Sequence, residues 1–386
     1  MSGLSKNVEC QPTTVRIIGV GGAGTDVAKY WRNEEDGERA DKFVAVCDWD
    51  ANALERSGVT AALLLDEYKI WPGIRSGTEA AENNIEAIRK LLKAKKVVVE
   101  VGLGGEFGTE VAPIVAREAK ASGALTFGVA SLPFKMNGSK SVQCARDGLR
   151  ELAASCDVMF ILNNESMKRY YGKLLVPDAM ERINMIMSCA TDHFIDYGCM
   201  RDKPRYQYSD AKVVGIGNTG ADLVDYLRKE KYRKQLLSVC KPNSTKSGKP
   251  EDAALLQLVI GNGESVDFDG ITKFLDGKES PVFVVANLDG EPSIKSAPFL
   301  ARLARQMGSI VVGLVILPSV SDGAAKWSKA ITGLQNLATS TDAVFAYSSD
   351  FLDYSPIPRL GMEVSDVGGF VKYLIKAAKW GKPRTK

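Results

Sequence analysis

The sequence predicts an α/β protein: a parallel sheet flanked by helices, followed by a second copy of the same unit. Three observations carry this. Short runs rich in Val, Ile and Phe alternate with amphipathic stretches from end to end. Two glycine-rich loops in the first half each stand between a strand-like and a helix-like run. A long segment of the first half also overlays the second half at a constant offset.

The strand-like runs come in order as VRIIGV, FVAVCD, KVVVEVGL, ALTFGVASLP and DVMFILNN. Each is short, apolar and β-branched, as strands covered on both faces require. Between them lie ENNIEAIRKLLKAK, PIVAREAKASG and VQCARDGLRELAASC, whose apolar residues recur at three and four and so predict helices. Strands alternating with helices imply parallel pairing with helices on both faces.

The internal repeat divides the chain. Residues 112–133 overlay 297–318 at an offset of 185, pairing Ala112 with Ala297, Arg117 with Arg302, Gly128 with Gly313 and Pro133 with Pro318. The offset continues to Gly148 on Gly333, Asp157 on Asp342 and Phe160 on Phe345. Further upstream it drifts, and the glycines of GVGGAG meet those of GIGNTG, Gly19 falling on Gly215. Two βαβ stretches resemble one another somewhat in any case, but not over so long an ungapped run. The expected domains are 1–205 and 206–386, joined through RDKPRYQYSD.

Composition removes several function classes. The chain is 45% hydrophobic and 25% charged, as soluble domains are. A net charge of +3, from 50 basic and 47 acidic side chains, gives no reason to expect a nucleic-acid partner. The seven cysteines are scattered without a C-x-x-C pair, so neither a disulfide framework nor a zinc site is expected, and no metal-ligating residues are assigned. No apolar run reaches the roughly 20 residues of a membrane span, so a cytoplasmic protein is expected. The single histidine, His193, would have to serve any His-based chemistry alone. Its helical context suits packing better.

GVGGAGTD (19–26) follows a strand and opens a helix, where bare backbone and unpaired N–H groups can approach a diphosphate. Taken alone, this G-x-G-x-x-G also fits a dinucleotide-binding domain. Asp48 and Asp50, near the end of the next strand, suit a ribose hydroxyl in either case. The second loop, with Gly102, Gly104, Gly105 and Gly108, separates the two readings. Two facing cradles suit a triphosphate, whereas a dinucleotide fold offers one.

From residue 14 to about 170 the order of motifs resembles the FtsZ/tubulin superfamily. Its first loop reads much like GVGGAG and its signature is GGGTG(T/S)G. ALTFGVASLPFKMNGSK is similar to the family's strand and sugar loop, and FILNNE to the segment that brings an Asn to guanine. The resemblance implies a tubulin/FtsZ-type fold binding GTP with Mg²⁺. It implies Gly19, Gly21, Gly22, Ala23, Gly24 and Thr25 at the α- and β-phosphates. Gly104, Gly105, Glu106, Phe107, Gly108 and Thr109 would meet the γ-phosphate, Pro133 and Asn137 the ribose, and Asn164 with Glu165 the base. The helix near Glu181 and Asn184 would complete the base pocket.

Three departures from that pattern bear on activity. The signature loop reads GGEFGTE, with Glu106, Phe107 and Glu110 in place of two glycines and a threonine. A carboxylate about 4 Å from a phosphate oxygen costs about 1–4 kcal/mol at effective dielectrics of 80 to 20. Glu106 therefore either weakens triphosphate binding, makes it cation-dependent, or turns outward. The family's acidic catalytic stretch is missing, and Asp202 and Asp210 of the linker stand without its motif, so the catalytic residue is unassigned. Finally, the chain restarts the nucleotide-binding unit where the family has a smaller activation domain. That second copy is degenerate, with ANLDGEPS for the signature loop and Ser349 in place of Asn164.

Three functions are compatible with these residues. The first is a divergent guanine-nucleotide-binding protein that forms a homo-oligomer or filament, or joins a related one, as a GTPase with weak or partner-dependent hydrolysis. The second is a non-hydrolysing regulatory or scaffolding pseudo-GTPase on a related filament. The third is an NAD(P)-binding Rossmann enzyme. FVKYLIKAAKW near the C-terminus is basic and amphipathic, and it is read as a packing helix rather than a membrane anchor.

Overall fold

The computed structural model describes residues 13–28, 31, 43–65, 76–195, 212–229, 236–240, 256–259, 268–276 and 281–352. The chain separates into two units, Met1–Met200 and Arg201–Lys386.

In the first unit the strands are β1 (Thr13–Val20), β2 (Val44–Asp48), β3 (Ala61–Leu64), β4 (Ala94–Gly102), β5 (Leu125–Leu132) and β6 (Val158–Asn163). The helices are α1 (Gly21–Ala28), α2 (Ala51–Ser57), α3 (Gly77–Asn83), α4 (Ile85–Leu91), α5 (Glu106–Ala121), α6 (Ser139–Ser155), α7 (Asn164–Tyr171) and α8 (Val176–Ile195). The strands lie in the order β3-β2-β1-β4-β5-β6, all parallel. β1 and β4 are therefore neighbours at the point where the order reverses. Open parallel sheets bind ligands beyond the carboxyl ends of the strands at such a point.

Helices cover the sheet because their apolar residues recur on one face. α8 buries Ile183, Ile186, Met187, Ala190, Thr191 and Phe194. Its Phe194 stacks on Phe127 of β5 with ring centroids 4.7 Å apart. Lys96 Nζ donates to the carbonyl of Ile195 at 2.8 Å, a cation on the negative end of that helix. His193 lies on α8 with its ring 5.7 Å from that of Phe194, which suits the packing role expected of it.

The second unit contains β7 (Lys212–Ile216), β8 (Leu236–Cys240), β9 (Leu256–Val259), β10 (Val282–Asn287), β11 (Val311–Leu317) and β12 (Ala343–Ser348). Its helices are α9 (Gly217–Lys229), α10 (Phe268–Leu275), α11 (Glu291–Gln306) and α12 (Ala324–Ser340). The order β9-β8-β7-β10-β11-β12 is again parallel throughout. Local details recur as well. Thr126 N donates to Asp157 Oδ2 at 2.9 Å, and Val311 N donates to Asp342 Oδ2 at 2.8 Å.

The parallel sheet with flanking helices is as the sequence predicts. Two features differ. AALL (61–64) forms β3, which no strand-like run anticipated. α5 starts at Glu106, well before PIVAREAKASG, because Gly105 caps it and the glycine loop runs straight into its first turn. Asp202 and Asp210, the linker around them and FVKYLIKAAKW lie outside the described residues.

Candidate functional site

β1 ends at Val20, and the chain turns at Gly21 (φ 68) into α1. A positive φ of this kind favours glycine. The turn lies flat on the sheet because two glycines below it lack a Cβ. A Cβ on Gly19 would meet the carbonyl oxygen of Gly24 at 2.5 Å, and one on Gly24 would meet that of Glu100 at 2.2 Å.

β4 ends at Gly102 and passes through Leu103, Gly104 and Gly105 into α5. Gly104 N donates to Thr109 Oγ1 at 2.8 Å, and Ser141 Oγ donates to the Gly104 carbonyl at 3.1 Å, which fixes the loop. The two glycine loops touch. A Cβ on Gly21 would stand 3.1 Å from the Cα of Gly108.

Together the loops form one side of a cavity of about 1240 Å³. The rest of the lining includes Asp48 at the end of β2 with Trp49 and Asp50 after it, Pro133, Phe134, Met136 and Asn137 after β5, and residues of α2, α6, α7 and the first turns of α8. α1, α5 and α7 all begin at its wall, each with unpaired N–H groups in its first turn.

Of the candidate residues, the lining includes Gly21, Gly22, Ala23, Asp48, Asp50, Gly104, Gly105, Glu106, Phe107, Gly108, Pro133, Asn137 and Asn164. Gly19, Gly24, Thr25, Thr109 and Glu165 are not among the lining residues. Gly19 and Gly24 let α1 approach the sheet, Thr25 is buried, and Thr109 is buried holding Gly104. Glu165 Oε2 accepts from Lys135 N at 2.9 Å and pairs with Lys168. Burial pushes its carboxyl up, but those two partners outweigh burial and hold it below the ordinary range. Its work is to tie the loop after β5 to α7.

The two aspartates also serve their own backbone. Asp48 Oδ1 accepts from Trp49 N at 2.8 Å and Asp50 N at 3.2 Å, while burial raises its carboxyl above the usual range. Asp50 caps α2 by accepting from Asn52 N at 2.9 Å. Glu110 does not reach the cavity. Its Oε2 accepts from Thr78 N at 3.0 Å and so caps α3 from a neighbouring helix.

Glu106 lines the cavity with its side chain 67% exposed, and its Oε1 lies 3.9 Å from Lys140 Nζ. Phe107 is buried against Trp49, with ring centroids 5.1 Å apart. Asn164 is 5% exposed, and its Oδ1 is buried with no hydrogen-bond partner among the described residues.

Sequence reasoning passed over several lining residues. Trp49, Lys140, Met167 and Tyr171 border the cavity, as do Ala179, Met180 and Ile183 of α8. The last three belong to the helix expected near Glu181 and Asn184, and they are the residues of that stretch that reach the wall. Ile183 is buried against the core while Glu181 is exposed, so the helical period of Ile183, Ile186, Met187 and Ala190 could have set the register. Burial also pushes the Tyr171 phenol up to about 12. The cavity is thus lined both by the bare backbone of the glycine loops and by apolar residues of α7 and α8.

Residues 14–172 match the family model described as Tubulin/FtsZ family, GTPase domain. The chain is 30% identical over 190 residues to the cell division protein FtsZ of Porphyromonas gingivalis, covering 47% of this chain and 41% of that protein. It is 32% identical over 187 residues to that of Aquifex aeolicus, covering 46% and 50%. The chain thus spans about half the length of these relatives. A solved FtsZ dimer of M. jannaschii is similar at 19% identity and a TM-score of 0.45, covering 88% of this chain and 83% of the other.

Proposed function

Through residues 14–172 the first unit belongs to the tubulin/FtsZ family of GTPase domains, and on that premise we propose that the chain binds guanine nucleotide in the cavity beyond β1 and β4. The observation that carries this is Asn164, a lining residue of the cavity whose Oδ1 is buried without a hydrogen-bond partner among the described residues. An unpaired buried acceptor is costly and calls for a donor. The Watson–Crick edge of guanine carries two, N1–H and the 2-amino group. In the glycine loops, Gly22 and Gly105 have open space where a Cβ would be, so backbone there can approach phosphate oxygens closely.

When bound, Mg²⁺ would neutralise phosphate charge. Among the described residues no cluster of three or more His, Cys, Asp or Glu offers a cage for it, so it would enter with the nucleotide. Met136, Leu175 and Val176 are exposed apolar residues near the mouth. They support a role in self-assembly, or in joining a related filament, with the nucleotide near the contact.

The second unit reads as a degenerate copy that binds nucleotide weakly or not at all. Its strand order matches the first, and Ser293 stands where the first unit has Gly108. Its Oγ is 2.8 Å from a Cβ position on Gly217. One nucleotide per chain is therefore expected. Calorimetric titration with GTP, GDP and ATP, with and without Mg²⁺, tests the reading. A folded chain that binds no guanine nucleotide would refute it. Pelleting and GTP turnover at rising protein concentration separate a filament-forming GTPase from a non-hydrolysing partner of a related filament. Glu106 at the second loop is what favours the latter.

A further inference from the structure

The first and second glycine loops differ in what they present to an anion. At Gly22 the first loop is bare backbone facing open space. The second carries a carboxylate and a ring at the start of α5. Phe107 Cδ1 is 3.6 Å from the position of a Cβ on Gly21, and the ring also meets Trp49. The buried ring thus packs against both the first loop and Trp49. Glu106 is largely exposed and is one of the cavity's lining residues, with Lys140, also a lining residue, at 3.9 Å.

We propose that this cavity takes a nucleoside diphosphate in preference to a triphosphate, and that Glu106 is the residue that sets the choice. The proposal rests on the guanine-nucleotide reading above and deepens it. A diphosphate brings one phosphate fewer into the cradle that the two touching loops build. A third phosphate extends toward the second loop and meets a like charge. At about 4 Å the repulsion weakens affinity by about ten- to a thousandfold over effective dielectrics of 80 to 20. Lys140 offsets part of this, but the pair is exposed and therefore weak.

The test is calorimetric titration of the full chain with GDP and with GTP, in EDTA and in Mg²⁺, on the wild type, Glu106→Gln and Lys140→Ala. Glu106 is exposed, so its substitution leaves the fold in place, which circular dichroism checks. The wild type is expected to hold GDP at least tenfold tighter than GTP. Glu106→Gln should close most of that gap and Lys140→Ala should widen it. Equal wild-type affinities, or a gap unchanged in Glu106→Gln, would overturn the inference while leaving guanine-nucleotide binding intact. A wild-type preference for Mg²⁺-GTP that vanishes in Glu106→Gln would overturn it in favour of a carboxylate that holds the cation. Failure to bind either nucleotide would remove the functional reading along with it.

Discussion

Gly21 and Gly108 face each other across the two glycine loops, so closely that a single Cβ on Gly21 would stand 3.1 Å from the Cα of Gly108. The contact exists because β1 and β4 are adjacent, their ends level, with Val20 opposite Val101. It makes the cradle one object rather than two loops.

Gly21→Ala therefore meets two penalties, a positive φ and a close backbone neighbour. It should destabilise the protein by about 1–3 kcal/mol and reduce nucleotide affinity at least tenfold. Gly22→Ala provides the contrast, because its Cβ would enter open space. Stability should stay within about 0.5 kcal/mol while affinity still falls. Urea denaturation and calorimetry on the two variants give both readings. Equal losses of stability would contradict the geometry.

Asn164→Ala removes a buried acceptor that has no partner among the described residues. Stability should hold or rise, by up to about 1 kcal/mol, while guanine-nucleotide affinity drops by tenfold or more. A variant that loses stability and keeps affinity would mean that Asn164 is structural.

Glu100 is fully buried in β4, where its Oε1 accepts from Thr191 Oγ1 at 2.6 Å and Trp31 Nε1 at 3.2 Å. Burial, with a smaller push from Asp192, lifts its carboxyl from an ordinary 4.5 to about 7 against those two hydrogen bonds. The folded state then holds the proton more tightly than the unfolded one, so stability falls as pH rises from about 4.5 to about 7. The loss amounts to about 3 kcal/mol and levels off above that window. Glu100→Gln should flatten this slope and be the more stable protein at pH 8. Denaturation midpoints at pH 5 and pH 8 decide it, and parallel pH profiles for the two proteins would refute it.

Glu110→Ala leaves Thr78 N at the start of α3 without its acceptor. A lost cap of this kind costs about 0.5–2 kcal/mol. Amide exchange at Thr78 should accelerate, and nucleotide affinity should stay unchanged, since Glu110 lies outside the cavity. A drop in affinity would return Glu110 to the binding loop.

Much of this fold was legible in sequence because buried parallel strands write themselves as continuous apolar runs. β1, β2, β4, β5 and β6 each follow such a run. β3 escaped because AALL (61–64) is short and lacks β-branched residues. The glycine loops were also legible, since bare backbone leaves a compositional mark. Their meeting was not, because it depends on β1 lying beside β4 rather than on chain order. Asp48, Asp50 and Glu110 illustrate the harder limit. A carboxylate in a loop reads the same whether it awaits a ligand or caps its own backbone, and in all three it accepts from backbone N–H groups. Glu181 and Asn184 were one helical step away from the wall, a rotation that only the packing of α8 reveals.

The pairing of Trp49 with Phe107 has an optical consequence. An indole on the cavity wall, 5.1 Å from a ring held against the first glycine loop, gives the cavity its own chromophore. Any molecule that settles between the loops alters the polarity and quenching around it. Occupancy can thus be followed from the protein's own emission, on unlabelled material and on the timescale of mixing.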